Sequence, residues 1–320
     1  MAAGAVGLIM IRLLTGGVVA FAFSLALAHA DTGSWKIKKD HWDADDEKRF
    51  GAFVAGFGHH DCKDPAACFK STANPYRDSD PPNLKMDGDC ADFVYQLRAY
   101  FAWKNGLPFS YPLYVMSRSG PTPDFRFSDA GNQVVARLQL AWQADTDPAK
   151  LLLALRGTVS TAMFRIEHTF DSGYSASDFY SPKIERGAIR AGSIIYDPWG
   201  HVVYVFKVDD DGTVHYVDSN PDREVTRGTF GPQFPRTAPA LGAGFWNWRP
   251  IKLVDYEKDA DGNLINGRFV VASNGELADY GTEQYYGTEK NEAADWKAAT
   301  YKHRGKELGF YDFVKAKLAK

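Results

Sequence analysis

Hydrophobic positions recur at helical spacing through the first part of the chain. They predict a helix over residues 45–57 and a stronger one over 91–105. The apolar positions that define the two helices are Phe50, Phe53, Val54 and Phe57, then Phe93, Val94, Leu97, Tyr100 and Phe101. Gly106 and Pro108 are typical helix terminators, and Asp87 or Asp89 is placed to cap the second helix. Residues 134–142 and 148–164 predict two further helices.

From Gly192 onwards, hydrophobic residues recur at every second position instead of at helical spacing, which predicts strands. The pattern predicts strands over residues 193–196, 202–208, 213–218 and 223–229, with additional strands within 244–256 and 268–272. Asp211-Gly212 and Pro221-Asp222 are typical turn pairs between them. Residues 289–320 are charged and predict a peripheral helical tail. Helices followed by antiparallel strands indicate an α+β fold.

The first thirty residues have the features of an export signal. Arg12 precedes an apolar run over residues 16–27, and Ala30 followed by Asp31 fits a small-residue cleavage site. Because residues 1–9 add no charge to the basic region around Arg12, translation could start at Met10 rather than Met1. We therefore expect a periplasmic or secreted mature protein that starts at Asp31, with no membrane span after cleavage.

Composition narrows the classes of partner. The net charge is −3 and no long basic run occurs, which argues against nucleic acid as a partner. The chain has 8 Trp, 16 Tyr and 21 Phe, so some rings could line a groove as well as fill the core. No phosphate-binding or dinucleotide-binding fingerprint occurs, and we expect no cofactor.

The three cysteines divide into a pair and a remainder. Cys62 and Cys68 lie close together in a polar segment, and an oxidising compartment favours a disulfide between them. Cys90 is then an unpaired cysteine, which is a reactive thiol, an intermolecular bridge or an inert buried side chain. The segment His59-His60-Asp61-Cys62 holds four metal-ligand types, but adjacent residues rarely face one centre. We expect no metal.

Cys90 stands at the start of the helix predicted over residues 91–105, where the partial positive charge of the helix favours a thiolate. His201 begins a predicted strand and could hold the proton as imidazolium if that strand crosses the helix end. A third polar group must fix the tautomer and orientation of the histidine. Asp218 is the first choice and Asn220 the second, because both share one side-chain parity at the end of the next strand.

These segments resemble the papain-like cysteine hydrolases, most closely the NlpC/P60 and CHAP amidase/peptidase families. The resemblance rests on Asp-Cys-Ala-Asp-Phe at residues 89–93, Gly-His-Val-Val-Tyr-Val at 200–205 and the Asp-x-Asn at 218–220. It implies a cysteine-bearing helix packed on an antiparallel sheet, and an exported enzyme that cuts amide bonds of peptidoglycan peptides through a thioester. Cys90 would be the nucleophile, His201 the base, and Asp218 or Asn220 the orienting group.

The resemblance also sets the expected domain organisation. The catalytic domain would span residues 31–250, with a helical insertion at about 108–185, and residues 251–320 would form a C-terminal extension. No glutamine precedes Cys90 in the mature chain, so the backbone N–H of Cys90 and the Tyr76 hydroxyl are the candidate oxyanion donors. Two alternatives stay open: a transamidase, and a non-catalytic envelope binding protein in which Cys90 is inert.

Overall fold

The computed structural model describes residues 34–138, 146–289 and 295–320, so the predicted export signal lies outside the described residues. Its α-helices are α1 (Ala44–His59), α2 (Pro65–Lys70), α3 (Cys90–Asn105), α4 (Pro148–Thr158), α5 (Glu283–Tyr286) and α6 (Phe310–Leu318). Helices and antiparallel strands together make a mixed α+β fold, as predicted.

The strands form one large sheet and several hairpins. Two-stranded pairs join β1 (Pro112–Ser117) to β2 (Asn132–Arg137), β9 (Ile251–Val254) to β12 (Arg268–Val271), β10 (Glu257–Lys258) to β11 (Leu264–Ile265), and β13 (Tyr301–His303) to β14 (Lys306–Leu308). The large sheet contains β3 (Phe179–Tyr180), β4 (Ile194–Asp197), β5 (His201–Val208), β6 (Val214–Ser219), β7 (Val225–Thr229) and β8 (Gly244–Trp248). Its order is β3-β8-β4-β5-β6-β7, and every neighbouring pair is antiparallel.

Successive side chains of β5 point to opposite faces of the large sheet, and both faces are buried. Val202 and Tyr204 belong to the core shared with α1 and α3, whereas Val203 and Val205 belong to a second cluster on the other face. The Tyr204 hydroxyl donates to the Val94 carbonyl of α3 at 2.9 Å. This contact fixes the first turns of α3 against the middle of the sheet.

The helices predicted over residues 45–57 and 91–105 are confirmed, and so are the four consecutive strands predicted between residues 193 and 229. Observed α1 and α3 cover the predicted ranges, and β4 to β7 match the four predicted strands to within one or two residues. Gly106 adopts a left-handed conformation with φ of 62° and ends α3, as its position predicted.

The helix predicted over residues 134–142 is wrong in its described part. Val134 lies in β2 and pairs with Val115 of β1. A short apolar run suits either a helix or a strand, and here the partner strand decides. The helix predicted over 148–164 ends at Thr158 as α4. In its described residues, the expected helical insertion at about 108–185 therefore holds the β1–β2 hairpin, the α-helix α4 and the strand β3.

The predicted peripheral helical tail is helical only in part. Of the described residues in this range, 310–318 form α6 and 296–298 form a short 3₁₀-helix, whereas 301–308 form the β13–β14 hairpin. Tyr301, Phe313 and Leu318 are buried against the second face of the large sheet. The segment covers apolar strand residues that would otherwise be exposed, so it belongs to the body of the fold.

None of the helices in the described residues combines the length and the apolar character that a membrane span requires.

We predict that Phe313→Ala destabilises the fold by about 3–5 kcal/mol, because a large buried ring leaves a cavity in the second core cluster. Urea unfolding measures the loss. Lys317→Ala on the same helix serves as the control and should change the free energy of unfolding by less than about 0.5 kcal/mol. A loss below about 1 kcal/mol for Phe313→Ala would show that the C-terminal segment is peripheral after all.

Candidate active site

Cys90 is the first residue of α3. Asp89 occupies the cap position, but its side chain makes no capping hydrogen bond, contrary to the expectation for this residue. The Asp92 carboxyl instead accepts a hydrogen bond from the Asp89 backbone N–H. The first backbone N–H groups of α3 therefore do not donate to the side chain of the cap residue.

The Cys90 thiol faces the turn that joins β4 to β5. Cys90 is buried, and its Sγ lies 4.0 Å from the carbonyl oxygen of Gly200. Gly200 has φ of 96°, a conformation that strains any residue with a Cβ. The turn also carries a hydrogen bond from the Trp199 N–H to Asp197 Oδ1 at 3.0 Å. A glycine at this position lets the chain pass the thiol and present the next residue, His201, to it.

His201 lies between the thiol and a buried carboxylate. Its Nε2 is 2.6 Å from Asp218 Oδ2, and Asp218 is only 4% exposed. The His201 side chain also forms a hydrogen bond with Cys90. With Nε2 occupied by Asp218, Nδ1 is the ring nitrogen left for the thiol. The three residues therefore form a continuous chain from sulfur to carboxylate.

The electrostatics of this chain favour a protonated histidine. Burial alone would lower the pKa of His201. The hydrogen bonds to Asp218 and Cys90, together with the negative charges of both, outweigh burial and raise that pKa from 6.5 to about 10. A histidine that is protonated at neutral pH can give a proton to a departing group, as a general acid does.

Thr226 holds the far side of Asp218. Its hydroxyl donates to Asp218 Oδ1 at 2.6 Å, and the two residues face each other across β6 and β7. Asn220 does not contact His201; its side-chain amide lies 3.4 Å from Thr226 Oγ1 and 3.3 Å from the Glu224 carbonyl. Asp218 rather than Asn220 therefore contacts the histidine.

Sequence reasoning missed Thr226. A two-residue turn at residues 221–222 would place Val225, not Thr226, opposite Asp218. The observed register pairs Asp218 with Thr226, so Thr226 could be assigned only once the register of that hairpin was known.

Tyr76 lies far from the thiol. Its hydroxyl hydrogen-bonds with the side chain of Asn105, at the last residue of α3. Cys90 is the first residue of that 16-residue helix, so about 22 Å of helix separate the two ends. The structure does not bring Tyr76 to the position of an oxyanion donor. The backbone N–H of Cys90 remains the candidate.

The predicted disulfide is confirmed. Cys62 and Cys68 are joined with a Cα–Cα distance of 5.1 Å, and Cys90 is free. The Arg227 side chain of β7 donates to the Cys62 carbonyl at 3.4 Å and to the Gly58 carbonyl at 2.9 Å. The bridged loop is therefore attached to the strand that carries Thr226.

Among the residues that the structure describes, no group of three or more His, Cys, Asp or Glu side chains is arranged to hold a metal ion. In the segment of four ligand types, the Cys62 sulfur is in the disulfide and His60 Nδ1 accepts from the Cys62 N–H at 3.0 Å.

Asp92, two residues after the thiol, stands out among the nearby carboxyls. Burial, followed by the charge of Asp89, raises its pKa from 3.8 to about 7. Asp87 pairs with Arg156 at 2.8 Å. Several carboxyl groups therefore surround the helix start, and one of them titrates close to neutral pH.

No protein-family model, curated protein or solved structure matches this chain.

We predict that His201→Gln lowers stability in a pH-dependent way. The raised pKa of His201 means that its contribution is fully present below pH 6.5 and is lost as pH rises through about 10. The difference in the free energy of unfolding between wild type and His201→Gln should therefore be large near neutrality and shrink above about pH 10. Urea unfolding across pH measures it, and a difference that does not change with pH would contradict the buried ion pair.

We predict that Thr226→Val weakens the support of Asp218 while keeping side-chain shape. Loss of a hydrogen bond to a charged group should cost about 1–3 kcal/mol of unfolding free energy. It should also slow alkylation of Cys90 by iodoacetamide near neutral pH. Thr226→Ser keeps the hydroxyl and is the matched control, expected to stay close to wild type in both measurements. Equal behaviour of the two variants would show that the hydroxyl does not support Asp218.

Proposed function

We propose that this protein is a cysteine hydrolase that cleaves amide bonds, with Cys90 as nucleophile, His201 as acid and base, and Asp218 as the orienting group. The observation that carries the proposal is the unbroken chain of contacts from the Cys90 thiol through the His201 ring to the buried Asp218 carboxylate. A nucleophile in reach of a base that a third group orients is the arrangement of nucleophilic catalysis.

The chemistry follows from the protonation states. The Cys90 thiolate attacks the amide carbonyl carbon, and the backbone N–H of Cys90 at the start of α3 stabilises the oxyanion. The C–N bond then breaks as His201 gives its proton to the departing amine, which leaves a thioester on Cys90. Water attacks the thioester while His201 accepts a proton, and the carboxylic acid is released with the thiol restored.

The finer parts of the proposal rest on the resemblance to the papain-like NlpC/P60 and CHAP families. A cysteine at the start of α3, packed on an antiparallel sheet that carries the histidine and then the aspartate, supports a papain-like arrangement. The disulfide and the absence of a membrane-spanning helix among the described residues are compatible with a periplasmic or secreted protein. Peptidoglycan peptides are the substrates that the resemblance suggests.

Alkylation of the folded protein tests the proposal. We expect iodoacetamide to label Cys90 near pH 6–7, well below the ordinary thiol pKa of about 8.5, and labelling at that pH to fall at least tenfold in His201→Ala. Mass spectrometry of the modified peptide measures both rates. Cys90→Ser should abolish labelling, because Cys62 and Cys68 are protected as a disulfide.

A Cys90 that stays unlabelled until the protein unfolds would contradict the hydrolase. It would support the non-catalytic binding protein in which the thiol is an inert buried side chain.

A further inference from the structure

We propose that Phe127 and Trp199 form an aromatic subsite beside Cys90, which binds a large apolar ring group adjacent to the scissile amide. The inference rests on the proposed function, since it identifies a feature of the substrate that the same cleft would accept. It assigns a role to the β1–β2 insertion, which the catalytic chain does not use.

Both rings are exposed, and both belong to segments that adjoin the turn facing the thiol. Trp199 is 75% exposed and Phe127 is 47% exposed. Trp199 directly precedes Gly200, whose carbonyl oxygen lies 4.0 Å from Cys90 Sγ. The Phe127 ring comes within 3.5 Å of the position that a Cβ of Gly200 would occupy. One exposed ring therefore lies against the residue that contacts the nucleophile, and the other is carried by the residue before it.

A buried arginine ties the two ring-bearing segments together. Arg165 is 6% exposed, and its Nε donates to the Ser128 carbonyl at 2.7 Å while its Nη1 donates to the Pro198 carbonyl at 2.9 Å. Ser128 follows Phe127, and Pro198 precedes Trp199. One guanidinium therefore sets the spacing between the backbones that carry the two rings.

A buried asparagine fixes the Phe127 turn in the same way. Asn132 is fully buried, and its side-chain amide donates to the Phe125 carbonyl at 2.8 Å and to the Ala162 carbonyl at 3.0 Å. Its Oδ1 accepts from the Ser128 hydroxyl at 2.7 Å. The backbone around Phe127 is thus held by buried polar contacts while the ring stays exposed. Preorganised apolar groups of this kind lower the entropic cost of binding.

The two exposed rings favour an aromatic occupant. Arg126 hydrogen-bonds to Asp124 through both Nε and Nη2, Asp197 Oδ1 accepts from the Trp199 N–H, and Arg165 donates to two carbonyl groups. An aromatic side chain packs on ring faces and edges, which Phe127 and Trp199 offer.

Paired electrophiles test the subsite without a known substrate. Iodoacetamide and N-benzyl iodoacetamide react with a thiolate in the same way: the S–C bond forms, the C–I bond breaks and iodide leaves. We expect Cys90 of the wild type to react about tenfold faster with the benzyl reagent, because its ring is buried against Phe127 and Trp199. The ratio of the two rates should fall towards that of a free thiol in Trp199→Ala and Phe127→Ala.

Tyr256→Ala removes another exposed ring and is the matched control, expected to keep the wild-type ratio. Equal ratios in wild type, Trp199→Ala and Phe127→Ala would overturn the subsite while leaving the hydrolase intact. Failure of Cys90 to react with either reagent would overturn the hydrolase itself, and the subsite with it. Protection of Cys90 by tri-N-acetylglucosamine that depends on Trp199, with no preference for the benzyl reagent, would also overturn the proposal, in favour of a sugar.

Discussion

The buried carboxylate of Asp218 is the constraint on which the site depends. A charge that is 4% exposed must be paired and hydrogen-bonded, because its desolvation is otherwise too costly. Asp218 Oδ2 is hydrogen-bonded to His201 and Oδ1 accepts from the Thr226 hydroxyl, so both partners contact the same carboxylate on β6. The same pairing that stabilises the buried charge fixes the orientation of the histidine ring and favours its protonated state. Stability and proposed chemistry therefore rest on the same contacts.

Both faces of the large sheet are covered, and α3 packs on one of them. This packing brings Cys90 close to His201 and Asp218. The core shared with α1 and α3 holds Tyr204 against the Val94 carbonyl, which positions the helix start. The C-terminal segment closes the opposite face through Phe313 and Leu318. The turn between β4 and β5, which holds Gly200, faces the thiol. The β1–β2 segment places Phe127 against that turn.

Local periodicity predicted the elements that carry the site. The helix after Cys90 and the strands of His201 and Asp218 each have a clear pattern, so the three residues could be named from sequence. Val134 was assigned to a helix because a short apolar run has no unique period, and its pairing with Val115 is a tertiary fact. The choice of Asp218 over Asn220 and the role of Thr226 depended on strand register in the same way.

The nitrogen NMR signals of the His201 imidazole, followed across pH, test whether Cys90 and Asp218 hold this histidine protonated. We expect both ring nitrogens to be protonated at neutral pH and the ring to titrate near pH 10. In Cys90→Ala this titration should shift to lower pH, because the hydrogen bond and the negative charge of Cys90 both raise the pKa of His201. A neutral His201 at pH 7 that titrates near its ordinary value of 6.5, with no response to Cys90→Ala, would show that Cys90 and His201 are not coupled.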